Sequence, residues 1–248
     1  MSRGLFSSTL TKHMCKGSFA IVVDLYAAYM QNACRVHATR RDPMDSLEIY
    51  QDLKNKIIWL ELAPGSSLNQ IDLAHAYGVS RTPVTLALAR LDAEEWAVRQ
   101  GSHYVVSPLT LNHMKNITEI RSVLETQANV WAMNRITPEG LKELKAIKED
   151  MRNLKSNVSK KEMFQLDYKF HCLIYREARN RQLAQLLSGL LCHYIRFWLA
   201  SPQSIEKKVF FSEAVEMIKA IESKDDFSLR ASTAAHLKAS SDRIMQIS

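Results

Sequence analysis

Gly78-Val79-Ser80-Arg81-Thr82-Pro83-Val84 stands between two short amphipathic helical patterns, and its reading decides the fold. Gly78 accepts the left-handed backbone conformation that ends a helix. Ser80 suits the cap of the next helix, and Pro83 suits its first turn, where a missing N–H costs little. Val84, Leu88 and Leu91 recur at i, i+4 and i+7, which predicts one buried face and a free face opposite it. Arg81, Thr82 and Thr85 fall at the exposed start of that helix, where a helix-turn-helix presents side chains to a DNA groove. The stretch reads as a turn feeding a recognition helix, and the chain as a binder of double-stranded DNA.

Upstream, Leu47, Tyr50, Leu53, Ile57 and Leu60 make the apolar face of a first helix, which Pro64-Gly65 breaks. Ile71, Leu73, Ala74 and Tyr77 belong to a second, short helix. Downstream, two β-rich runs flank Gly101 within Trp96–Val106, the pattern of a hairpin and hence of the wing in a winged helix. Residues 1–43 have no sustained periodicity and end in Arg40-Arg41-Asp42-Pro43. They read as a poorly patterned extension, dispensable for DNA binding, with Met44 as an alternative start.

Pro108 opens a different region. Six helical stretches follow, at 110–134, 138–156, 160–178, 180–200, 204–223 and 225–246, with Thr137-Pro138-Glu139-Gly140 and Ser201-Pro202 as punctuation and Asn180 and Asp225 as caps. With only seven glycines and six prolines and little strand-like alternation, the chain is mainly α. The predicted architecture is an N-terminal winged helix-turn-helix at 44–109 followed by an all-α helical bundle at 110–248.

Composition bounds this reading without deciding it. The 248 residues are 46% hydrophobic, ample for a globular core, and 33 Lys+Arg against 26 Asp+Glu give a net charge of +7. Such an excess suits a polyanionic partner and equally an ordinary solvated surface. Cys15, Cys34, Cys172 and Cys192 form no CxxC pair, which points to a reducing compartment and a cytoplasmic protein. No apolar run approaches the roughly 20 residues that span a bilayer, so no membrane partner is expected.

Leu47–Leu109 resembles the DNA-binding domain of the GntR family of bacterial transcription regulators. The matching residues are Ala63-Pro64-Gly65, Leu73-Ala74, the run from Gly78 to Val84, Ala87-Leu88-Ala89-Arg90-Leu91 and Pro108-Leu109. The helical remainder resembles the FCD effector domain of the FadR-type branch, through Arg121-Ser122-Val123-Leu124-Glu125 and Leu166-Asp167-Tyr168-Lys169-Phe170-His171. The resemblance implies a homodimer on a palindromic operator, acting as a repressor whose affinity a small carboxylate-type metabolite controls. It implies DNA contacts from Asn69, Gln70, Ser80, Arg81, Thr82, Thr85 and Arg90, and from Ser102 and His103 in the wing. Departures lie at Ile71, where relatives commonly carry arginine or another polar residue, at Thr85, where they often carry arginine, and at Ser102-His103, where they commonly carry Arg-Gly. Arg81 keeps the fork that grips guanine, whereas Thr85 offers only a phosphate or thymine-methyl contact, so the operator differs from the family's usual one.

Asp167 and His171 are spaced i, i+4 and share one helix face. The resemblance makes these positions metal ligands, joined by His236 and by a histidine at the position held here by Ala214. Three readings stay open. Asp167, His171 and His236 hold zinc, nickel or manganese with an open coordination position; or Arg121, Asp167, His171 and His236 bind a carboxylate effector directly; or these are satisfied core groups with Arg121 paired to Glu125. Glu213 points about 100° away from the lost ligand position and is a poor substitute.

Two other function classes compete: a metal-dependent enzyme and a helical protein-interaction module. Against the enzyme, the chain has no Gly-rich phosphate loop, nucleophile elbow or HExxH motif.

Overall fold

The structure, a computed structural model, describes residues 43–248 except 156, 203–205 and 246–248. The expectations for the extension, including Cys15 and Cys34, therefore lie outside the described residues up to Pro43, as do the outermost positions expected for the last two helices.

Helix α1 (Ser46–Ile58) begins with a reciprocal cap: Glu48 N–H donates to the Asp45 carboxylate at 2.8 Å, and Asp45 N–H donates to the Glu48 carboxylate at 3.1 Å. Its buried face is Ile49, Tyr50, Leu53, Ile57 and Ile58. Leu47 is exposed and Leu60 lies beyond the helix at φ 60°, so the expected stripe shifts around the helix at both ends. After β1 (Ser67–Leu68), helices α2 (Gln70–Tyr77) and α3 (Arg81–Ala93) flank Gly78, whose φ of 66° is the left-handed turn that its lack of a side chain permits. The hairpin β2 (Ala97–Gln100) and β3 (His103–Val106) follows. Its two-residue loop puts Gly101 at φ 63°, and Gln100 faces His103 across it. β3 is central in an antiparallel sheet ordered β1-β3-β2, with Leu68 opposite Tyr104. The two-residue strand β1 gave no alternation in the sequence.

The helical part holds α4 (Leu111–Arg135), α5 (Pro138–Arg152), α6 (Lys160–Glu177), α7 (Arg181–Ala200), α8 (Lys207–Ser223) and α9 (Asp226–Met245). The winged helix-turn-helix and α-bundle expected from sequence are the fold observed. α4 is the centre, packed against α6, α7, α8 and α9. The Asn180 carboxamide accepts from Leu183 N–H, and Asp225 accepts from Ser228 N–H, as expected of caps. Glu95, Arg179 and Lys224 turn the chain after α3, α6 and α8 with φ between 51° and 62°, positions more often given to glycine.

α7 corrects one expectation. Of its 20 residues, an 18-residue stretch has a mean hydropathy of 1.2, long and apolar enough to cross a membrane by length and composition alone, yet half of that stretch is buried inside the bundle. It packs on α1, α4 and α6, which accounts for apolar residues around much of its circumference.

The winged and bundle parts meet through side chains that no motif marks. Trp96 is 1% exposed and stacks on His193 of α7, ring centroids 3.7 Å apart and planes 7° from parallel. His113 of α4 meets the His193 ring edge-on, with centroids 5.2 Å apart. Arg196 Nη2 donates to the carbonyl of Ser107 at 2.5 Å.

Candidate nucleic-acid interface and a buried charged cluster

α3 is held by Val84, Leu88 and Leu91, each 0% exposed, together with Ala87. Burying three such side chains supplies about 1.5–3 kcal/mol each relative to exposure, which fixes the orientation of the helix. The opposite face carries Arg81, Thr82 and Thr85, all exposed. Arg81 forms no ion pair with a described residue, leaving its guanidinium available. Thr85 Oγ donates back to the Arg81 carbonyl at 2.9 Å, so its methyl is the outward-facing group. Ser80 takes the N-cap position with extended backbone, but its side chain makes no capping hydrogen bond, contrary to the expected role. Its exposed hydroxyl is the first polar group of this face. Ser102 and His103 are exposed at the wing tip, and Gln70 is half-buried at the start of α2.

Two predicted contacts have work inside the fold. The Asn69 carboxamide oxygen caps α2, accepting from Ile71 N–H at 2.8 Å and Asp72 N–H at 3.4 Å. Arg90 Nε donates to Glu94 at 3.1 Å while its guanidinium lies over the Tyr50 ring, 4.1 Å from the centroid. Glu94 also accepts from Tyr50 OH at 2.5 Å and Lys54 Nζ at 2.8 Å, tying α1 to the end of α3. Burial alone would raise the Glu94 carboxyl, but the Lys54 and Tyr50 hydrogen bonds override it and hold the pKa near 2. Ile71, one of the departures from the family pattern, is 62% exposed.

In the bundle the charged groups are inside. Arg121 Nε and Nη2 donate to one Glu125 oxygen at 2.9 and 2.8 Å, and the Tyr175 hydroxyl donates to the same oxygen. The Arg121 guanidinium also lies 4.4 Å from the centroid of the Tyr194 ring. Both charged side chains are 2% exposed. Burial opposes ionisation of Glu125, but Arg121 prevails and keeps the carboxyl well below the usual range. The pairing of Arg121 with Glu125 open among the sequence readings is the arrangement present, and it commits Nε and Nη2 to the internal carboxylate. Tyr175, one turn after His171, escaped the sequence reading although its i+4 spacing was the available signal.

His171 and His236 stand beside this cluster with ring centroids 5.4 Å apart. His171 Nε2 lies 3.7 Å from Asp167 Oδ1. Burial pulls both imidazoles down to about 4, aided by Arg121, and for His236 by His171 as well, so both are neutral near pH 7. His171 Nε2 and His236 Nδ1 are buried without a hydrogen-bond partner. The structure thus brings Asp167, His171 and His236 together, but among the described residues no three His, Cys, Asp or Glu side chains converge to hold a metal ion. The residues present do not fit the metal centre that the resemblance implied. Ala214 is 0% exposed and supplies no donor. Glu213 lines a separate cleft with Met151 and Arg152, in keeping with its predicted divergence.

Comparison with known proteins agrees with both halves of this anatomy. Residues 45–103 match the gntR family of bacterial regulatory proteins, and residues 116–239, half of the chain, match the FCD domain. The HTH-type transcriptional regulator YdhC of Bacillus subtilis is 29% identical over 154 residues, 60% of this chain and 69% of that protein. The HTH-type transcriptional repressor RspR of Escherichia coli is 23% identical over 209 residues, 81% of this chain and 89% of that protein. The solved structure of E. coli McbR/YncC superposes with a TM-score of 0.70 at 22% identity, covering 81% of this chain and 97% of that one. These relatives are regulators of transcription, not enzymes, and the chain belongs to the GntR family of bacterial regulatory proteins, with an FCD domain as its helical part.

Proposed function

We propose that this regulator acts in the cytoplasm as a homodimeric repressor, each subunit laying the start of α3 in the major groove of one half of a palindromic operator. Identical subunits related by a dyad read identical half-sites, which is why a palindrome suits a dimer. Residues 44–109 serve as the DNA-binding domain and 110–248 as the effector and dimerisation domain, with residues 1–43 dispensable for both. Arg81, Thr82, Thr85 and Ser80 read the operator, with Gln70, Ser102 and His103 contributing at its margins. Asn69 and Arg90 act through the cap of α2 and the Glu94 cluster. The observation carrying this reading is the outward, unpaired Arg81 on a helix whose other face is wholly buried.

A small organic acid in the bundle shifts the protein between DNA-competent and released states. It binds beside His171 and His236, whose unpartnered nitrogens favour this place, with Asp167 orienting His171. Arg121 supports the site through Glu125 rather than by gripping the ligand. Operator selection from random duplexes, followed by gel shift, tests the core of the proposal. Arg81→Ala is expected to cost about 1–3 kcal/mol per subunit in specific binding, the worth of one bidentate base contact, with folding intact. Unchanged affinity for the selected operator sinks the assignment of α3.

A further inference from the structure

A cleft of about 250 Å³ opens where the winged part meets the bundle, lined by residues of both, and it belongs to neither site described above. Among the groups lining it are Glu95 and Val98 from the winged part, Ser107 from the connection, and His113, His193 and Arg196 from the bundle. Arg196 is the unusual member. It is 1% exposed, its Nη2 meets only the Ser107 carbonyl, and its Nε has no hydrogen-bond partner. Arg121, equally buried, sits against a carboxylate; Arg196 forms no ion pair among the described residues, and burial pulls its pKa down to about 10. A buried guanidinium without a counter-charge is costly, and the usual remedy is an anion. The hydroxyl of Ser107, whose carbonyl Arg196 holds, is likewise buried and unpartnered.

We propose that this cleft binds a small monocarboxylate, its two oxygens taken by the fork of Arg196 with Ser107 Oγ donating beside it. The planar fork matches a carboxylate. The volume suits a small ligand rather than a drug-sized one, and Val98, Pro108, Leu109 and Met114 offer a short alkyl chain apolar walls. Asp92 and Glu95 also line the cleft, so a second negative charge on the ligand would meet repulsion. His193, held neutral by burial with a pKa near 3, adds no positive charge to offset it. Because the lining comes from both parts of the chain, an occupant favours the arrangement that forms the cleft and thereby links ligand to DNA binding. This site stands apart from the Glu125 cluster and does not depend on what binds there.

Calorimetric titration of the full chain with propionate, malonate and inorganic phosphate tests the proposal, read alongside the indole N–H signals of Trp96 and Trp131 in two-dimensional NMR. Millimolar propionate is expected to bind and to move the Trp96 signal, which reports on the ring stacked against His193, while the Trp131 signal stays. Malonate and phosphate are expected to bind at least tenfold more weakly. Arg196→Lys keeps the charge but loses the fork, and should weaken propionate about tenfold. Ser107→Ala, which leaves the Arg196 contact to the backbone in place, should weaken it a few-fold and keeps the test open if Arg196→Lys does not fold. No propionate binding, a dianion binding as tightly, movement at Trp131 alone, or unchanged affinity in the folded variants overturns the proposal.

Discussion

The winged part and the bundle deploy polar side chains in opposite ways. On α3 the polar residues face outward, and the helix is fixed by apolar residues on its hidden face. In α4 and α6 a group of charged and polar residues faces inward: Arg121, Glu125, Asp167 and His171 are all at most 2% exposed, and the ion pair is closed within the fold. Charge is distributed in an equally unexpected way. Residues 44–109 carry five Lys or Arg against eight Asp or Glu, whereas residues 110–248 carry 22 against 16. The overall basicity therefore does not lie in the winged part, and the DNA contact proposed for Arg81 is that of an individual donor rather than of a basic surface. A surface site keeps its groups available by leaving them in water. A buried site must satisfy each group internally, because a buried polar group left unpaired is costly.

The strongest way to break this contrast is to remove one partner of the buried pair. Glu125→Ala leaves the Arg121 charge in the core without its carboxylate, and a loss of about 3–5 kcal/mol of stability is expected in denaturant unfolding. Replacing both, Arg121→Met with Glu125→Leu, should recover most of that loss, because no isolated charge then remains. A loss below about 1 kcal/mol in the single variant would show that Arg121 finds another partner and that the cluster is less closed than its geometry.

The same contrast explains what the sequence made legible. The run from Gly78 to Val84 announces its structure locally: a left-handed glycine, a first-turn proline and an i, i+4, i+7 apolar stripe each constrain the backbone within a few residues. The exposed site on that helix came with it. In the bundle, helix ends were legible from Thr137-Pro138, Asn180 and Asp225, yet the pairing of Arg121 with Glu125 remained one reading among three. An i, i+4 pair is common on solvated helices, and nothing local says that Tyr175 and Tyr194 enclose it. Trp96, His193 and Arg196 were invisible as a group because they are brought together by contacts across nearly a hundred positions of chain. Arg196, set among the apolar residues that end α7, was the one available hint.

Acid titration sharpens the comparison further, since the bundle and its joint with the winged part bury imidazoles that cannot charge in place. His171 and His236 fall to about 4 and His193 to about 3, below the ordinary 6.5 of an unfolded chain, chiefly through burial. Between those values the unfolded chain binds more protons than the folded one. Stability is therefore full above about pH 6.5 and declines as pH falls, by up to about 1.4 kcal/mol per unit for each such histidine. Unfolding free energies at pH 7, 6 and 5 measure this, and His171→Gln or His236→Gln should flatten the slope. A flat profile over that range contradicts neutral burial of these rings.

The smallest effect discriminates best between a residue kept for the fold and one kept for DNA. Ser80 and Ser159 occupy the same position at the start of α3 and α6, but only Ser159 caps: it accepts from Glu162 N–H at 3.2 Å, and Glu162 reaches back to its N–H at 2.8 Å. Ser159→Ala should cost about 1 kcal/mol of stability, the typical worth of a cap, and leave operator affinity of the folded protein untouched. Ser80→Ala removes no hydrogen bond in the free protein, so its stability should stay within about 0.5 kcal/mol of the original. Its hydroxyl, exposed beside Arg81, is placed for a phosphate, and losing it should weaken operator and non-specific DNA alike, since phosphate contacts position the helix without reading sequence. Melting curves and gel shifts on both variants separate the two roles. If Ser80→Ala destabilises as much as Ser159→Ala, then Ser80 is a cap after all, and the face it opens loses its first polar group.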